Sequence, residues 1–260
     1  MLLRRIKHHV ANENWFAVFV DFVIVVVGVY VGIEVSNWNE ARKEEALATQ
    51  YLERLRADLQ ADEDMIDARR QFWEHVGDYG DAAIAYLESG RLRNESPWAT
   101  VLAFYQASQV AHYFSTNTTY EELRYSGELS LIRNPELEAA FADYYISGVG
   151  QQANYLLQYQ PEYRELIRGK TPWHVQQYIW ESCHADGTTL VDQQMLECDA
   201  PIDPSEAATI LADYAADPET IEQLRFWISN LSVAGRVLAI NRARLARLTE
   251  LVDRELEPGR

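Results

Sequence analysis

Trp15 to Val35, WFAVFVDFVIVVVGVYVGIEV, is the stretch whose reading decides the rest of the chain. A helix rises about 1.5 Å per residue, so roughly 20 such residues cross the ~30 Å hydrocarbon core of a bilayer. A surface helix of a soluble protein shows one apolar stripe, whereas this run is apolar on every side, with Asp21 its one charge before Glu34. The expectation is a single transmembrane helix over residues 15–35, with Trp15 and Trp38 as interfacial aromatic anchors at its two ends.

The flanks set an orientation. Arg4, Arg5 and Lys7, with His8 and His9, precede the run, while Glu34, Glu40, Glu44 and Glu45 outweigh Arg42 and Lys43 after it. Basic residues in a short flank stay on the cytoplasmic side, so residues 1–14 are expected inside and residues 36–260 outside. A cleaved signal peptide has an apolar region of about 7–15 residues and a small-x-small site. Ile33-Glu34-Val35-Ser36 offers no such site, and an uncleaved anchor is expected. Leu2, Ile6 and Val10 stand four apart among cations, which fits either a short helix in the inner headgroup layer or an unstructured basic tail.

Within the run, Asp21, Val25, Gly28, Gly32 and Ser36 recur at intervals of three or four and share one stripe. Gly28 and Gly32 form a small-xxx-small pair, through which membrane helices approach closely. The stripe reads as a membrane-helix interface, either a homodimer seam or a docking face for another membrane protein. The bland alternative is the ordinary frequency of glycine in such helices. A carboxylate at a span's centre costs about 2.5–3.5 kcal/mol on insertion scales. Asp21 is therefore a hydrated interface residue, a protonated or paired group at a helix contact, or a relay.

Beyond the anchor the pattern stays helical. Leu52, Leu55, Leu59, Ile66, Trp73, Val76, Ala83 and Leu87 mark a seven-residue seam, broken at Asp62, Arg69 and Gly80, and Ser89-Gly90 ends it. Ser96-Pro97 opens the next helix and the apolar WATVLAFYQASQVAHYF follows; Thr119 to Glu122 has a capping-box pattern closed by Gly127. Asn134-Pro135 opens another helix running toward Arg168 with a kink or break at Pro161, and TPWHVQQYIW reads as a short one. Asp217-Pro218-Glu219 opens the last, with a seam at Ile221, Leu224, Ile228, Leu231, Leu238, Leu245, Val252 and Leu256. Two seams of one period want each other antiparallel. The arginines at 236, 242, 244, 247 and 254 then meet acids such as Asp58, Glu63 and Asp67, meet lipid phosphates, or form a solvated face. The fold class expected is all-α, an elongated antiparallel bundle continuing from the transmembrane helix.

The composition allows a sizeable core, being 48% hydrophobic over 260 residues, and the net charge of -17 argues against a nucleic-acid partner. Two cysteines, Cys183 and Cys198, lie in an irregular segment, Thr171 to Pro204. Outside the cytoplasm such a pair is expected to oxidise. The rival is a metal site with His184 and His174, but adjacent Cys183-His184 does not match the short spacings of zinc motifs. Gly148-Val149-Gly150 has no strand before it as a dinucleotide loop requires, and neither an HExxH nor a G-x-S-x-G motif occurs. No catalytic residue, metal or cofactor is expected.

VDFVIVVVGVYVGIEVSNWNEARK together with TYEELRYSGELSLIRNPELEAAFADYY resembles a family of uncharacterised bacterial single-span membrane proteins, classed only as a domain of unknown function. Asp21, Gly28, Asn37, Trp38, Asn39, Gly127, Leu129 and Ile132 carry the resemblance, and Gly32 departs from it where alanine is the rule. It implies a membrane-anchored helical protein and brings no activity; with the orientation read from the flanks, the expectation is a single-pass protein of a bacterial inner membrane with a periplasmic carboxyl-terminal domain. The function expected is a non-catalytic scaffold or interaction protein on the lipid bilayer, self-associating or bound to another membrane protein. The alternative is a ligand-sensing bundle resembling chemoreceptor sensor domains.

Overall fold

The computed structural model describes residues 15–157, 160–185, 187 and 193–257, with side chains from Phe19 onward. The basic amino-terminal segment and the readings placed on Leu2, Ile6 and Val10 lie outside the described residues. Two compact units divide the chain between Tyr51 and Leu52.

Helix α1, Trp15–Ser89, supplies the first unit and continues into the second. From Phe19 to Val35 its apolar side chains are exposed except for the half-buried Val20, and this is the one helix among the described residues long and apolar enough to cross a membrane. Leaving a large apolar side chain in water forgoes about 1.5–3 kcal/mol each.

The second unit is helical, as the seams require. After α1 come α2 (Pro97–Gln106), α3 (Thr118–Ser126), α4 (Pro135–Phe141), α5 (Val149–Leu157), α6 (Glu162–Lys170), α7 (Trp173–Ser182), α8 (Pro204–Ala216) and α9 (Glu219–Leu256). A two-residue antiparallel ladder, β1 (His184–Ala185) with β2 (Gln194–Met195), lies within the disulfide loop. The part of α1 from Leu52 onward and α9 run antiparallel. Arg56 Nε meets Asp253 at 2.6 Å, Arg242 reaches Asp67 at 3.0 Å and Glu63 at 3.5 Å, and Arg225 pairs with Glu88. Of the arginines on the last helix, Arg242 thus finds the acids of α1, while Arg244 and Arg247 turn to Asp143 and Glu136. α9 also packs on α4, α5 and α6, and α2 on α8.

The start and stop signals are mostly realised. Ser96 caps α2 by accepting from the Ala99 amide at 3.2 Å, Asn134 caps α4 from the Glu136 amide at 2.9 Å, and Gly127 closes α3 at φ +79°. The capping box at Thr119 does not form. α3 starts two residues earlier, after Asn117, and the Thr119 amide donates instead to Asp58 of α1 at 2.9 Å.

The apolar stretch after Ser96-Pro97 is helical only to Gln106. From Ser108 to Asn117 it is an irregular strap that leaves the helix through a turn, buried at Ser108, Gln109, Ala111 and Tyr113. A buried backbone needs partners, and here side chains provide them. Trp227 Nε1 donates to Ala107 O and Trp73 Nε1 to Ala111 O, both at 2.8 Å. Asn154 accepts from the Tyr113 amide at 2.9 Å and donates to the Tyr113 carbonyl at 2.6 Å, standing in for a neighbouring strand.

Candidate functional site

The three residues that interrupt the seam of α1 are all inside the body. Asp62 is fully buried, Arg69 is 2% exposed, and Gly80 is so close to α9 that a Cβ there would meet Ile228 Cδ1 at 2.3 Å. Asp62 organises a buried polar group. Its Oδ1 accepts from the Thr116 amide at 2.9 Å and its Oδ2 from the Tyr144 hydroxyl. The Tyr144 and Tyr113 oxygens are 3.2 Å apart, and Asn241 of α9 donates to the Tyr113 hydroxyl at 3.3 Å. The donors point one way, from Asn241 through two phenols to the carboxylate.

Local structure places these groups. A π-helical turn, Ala142–Ile146, follows α4, with the Ser147 amide on Ala142 O at 3.2 Å. One extra residue in the turn shifts the helix register, so two successive aromatics serve the interior: Tyr144 reaches Asp62 while Tyr145 stacks on Tyr120, ring centroids 4.4 Å apart. Gly150 opens α5 against this site. A Cβ there would lie 2.5 Å from Tyr113 Cε1 and 2.7 Å from Asn241 Nδ2, so only glycine lets the two come together.

Burial raises the Asp62 carboxyl to about 6, the hydrogen bonds from Tyr144 and Thr116 offsetting only part of the desolvation. The same burial, reinforced by the Asp62 charge, pushes Tyr113 and Tyr144 above the ordinary phenol range and keeps both protonated. The arrangement can hold one buried proton or charge and fasten α1, the strap, the π turn and α9 around it. In the sequence Asp62 is only a break in a seam; the signal is a lone carboxylate at a core position.

The residues singled out in the anchor belong to the first unit. Asp21, Val25, Gly28, Gly32 and Ser36 are all exposed on α1, and a Cβ built on either glycine meets nothing within 4 Å. Trp38 is 60% exposed with the Arg42 guanidinium 4.9 Å from its ring. Trp15 begins α1, and its side chain lies outside the described residues. Cys183 and Cys198 are joined, which removes both sulfurs from the rival metal reading, and His174 pairs with Glu206 at 3.1 Å. Among the described residues no three His, Cys, Asp or Glu side chains converge as metal ligands.

No curated protein and no solved structure matches the chain. One family model does, over residues 21–80, from Asp21 through the exposed stripe and Asn37-Trp38 to Gly80. It stops short of the segment 119–145 on which the resemblance also drew. Over residues 21–80 the chain is similar to a family of unknown function, DUF6090.

Proposed function

We propose that the chain is a membrane-anchored, non-catalytic helical scaffold that modulates a partner complex from the periplasmic face of a bacterial inner membrane. The observation that carries this is the contrast along α1. Its first part exposes Phe19, Phe22, Ile24, Val25 and their apolar neighbours, whereas from Leu52 the apolar seam is buried. A surface of that kind in a chain of net charge -17 calls for lipid or another apolar helix. The open glycine stripe supplies the close approach that helix pairing in lipid uses.

The basic flank at Arg4, Arg5 and Lys7 supports the amino end inside. Crosslinking in native membranes should recover one reproducible partner or a homo-oligomer, and Gly28→Ile with Gly32→Ile should reduce that yield several-fold. Recovery of monomer alone counts against the reading, as does a reporter fusion that places the carboxyl terminus in the cytosol.

A further inference from the structure

The chain holds 40 acidic against 23 basic residues, and its arginines commonly find carboxylates, as Arg56, Arg93 and Arg242 do. Arg164 and Arg168 are different. Both are half-buried, they stand one turn apart on α6, and among the described residues neither lies in an ion pair. Burying a guanidinium without a counter-charge is costly. Burial and then the neighbouring Arg164 charge push Arg168 down to about 10.

Their visible hydrogen bonds go to neutral acceptors at the start of the strap. Arg164 Nη1 donates to Ser108 O at 2.8 Å, Arg168 Nε to Ser108 Oγ at 3.2 Å, and Arg168 Nη2 to Gln109 Oε1 at 3.0 Å. A guanidinium carries about five N–H donors, so these acceptors use a minority of the pair's capacity. Fastening the Ser108 carbonyl needs one donor; it does not account for a second like charge one turn away.

The surroundings form a wall beside the pair. The Arg168 guanidinium is 5.0 Å from the Tyr105 ring centre and 5.3 Å from that of Trp180, which is 42% exposed. Trp180 stacks on His184 at 4.4 Å. His184 Nδ1 is 3.0 Å from the Ile179 carbonyl, which only accepts, so that nitrogen carries a proton; in the neutral ring Nε2 accepts from Gln109 Nε2 at 2.9 Å. The disulfide holds His184 in place through its neighbour Cys183.

We propose that Arg164 and Arg168 form a binding site for a small anion carrying a carboxylate or phosphate group. The guanidinium donors that Ser108 and Gln109 do not use, on two arginines a turn apart, suit the oxygens of such a group, and each charge-assisted bond supplies the counter-charge the pair lacks. Trp180 provides an apolar flank for the remainder of the ligand. The inference goes beyond the scaffold reading and does not depend on it, because its readout is arginine reactivity and not partner capture.

The test is a phenylglyoxal footprint of the full chain in phosphatidylcholine nanodiscs, with modification at each arginine read by mass spectrometry at matched ionic strength. Millimolar inorganic phosphate or succinate should slow labelling at Arg164 and Arg168 at least threefold and leave Arg247, whose side chain is 67% exposed, unchanged. Nanodiscs containing phosphatidylglycerol separate the sources: protection in them without added anion assigns the site to a lipid headgroup, and protection only by the soluble anions assigns it to a free ligand. Arg168→Gln should raise the protecting concentration at Arg164 at least tenfold, and the wild-type footprint decides the matter if that variant does not fold. Equal labelling under all three anions, or equal protection of Arg247, overturns the proposal.

Discussion

Asp62 shows how one residue makes the body sensitive to pH. Its native carboxyl, raised to about 6, holds a proton more tightly than the same group in the unfolded chain. The native state therefore binds more protons between roughly pH 4 and 6, and stability falls as pH rises through that window. The shift corresponds to roughly 3 kcal/mol at most. Urea unfolding of the wild type should lose up to that amount between pH 4 and 7 relative to Asp62→Asn. In the variant a neutral amide can still meet Tyr144 and the Thr116 amide while nothing titrates. Parallel curves for the two proteins would remove Asp62 as the cause.

At the scale of elements, the approach of α5 to α9 depends on Gly150. Gly150→Ala forces Tyr113 or Asn241 aside, both already tied to the Asp62 chain, and overpacking of this kind costs about 1–3 kcal/mol. Gly169 in α6 has nothing within 4 Å of a Cβ, so Gly169→Ala should gain about 0.5–1 kcal/mol from helix propensity. Thermal melts of the two variants should therefore move in opposite directions. The helix ends were legible where one residue suffices to make them, as at Ser96, Gly127 and Asn134. The strap was not. Its apolar density reads as helix, and the groups that satisfy its backbone come from Trp73, Asn154 and Trp227, which no local pattern connects to it. Asp203-Pro204, which opens α8, repeats the cap signal of α2 and α4.

Over the whole molecule, the all-α class and the antiparallel return of α9 follow from two seams of equal period, which buried Leu55, Leu59, Ile66, Leu238, Leu245 and Val252 now fill. What periodicity hid was the meaning of the breaks. A polar residue at a core position reads as noise until the donors from α9 and the π turn are seen around Asp62. The disulfide was legible from the count of two cysteines and the expected compartment. Joining Cys183 to Cys198 closes a sequence separation of 15, which the chain-entropy model values at about 3 kcal/mol. Reductant should lower the melting temperature of the wild type and leave Cys183→Ser/Cys198→Ser unaffected. Equal melts of the wild type with and without reductant would show that the crosslink contributes nothing.

Connections on a protein's surface tolerate added length, because nothing depends on their register. The segment from Ala107 to Tyr113 is a connection of the opposite kind. Inserting or deleting a single amino acid there would slide the carbonyls of Ala107, Ala111 and Tyr113 out from under Trp227, Trp73 and Asn154 together. In related chains, changes of length should accordingly collect in the outward-facing joins and leave this interior passage at one fixed count.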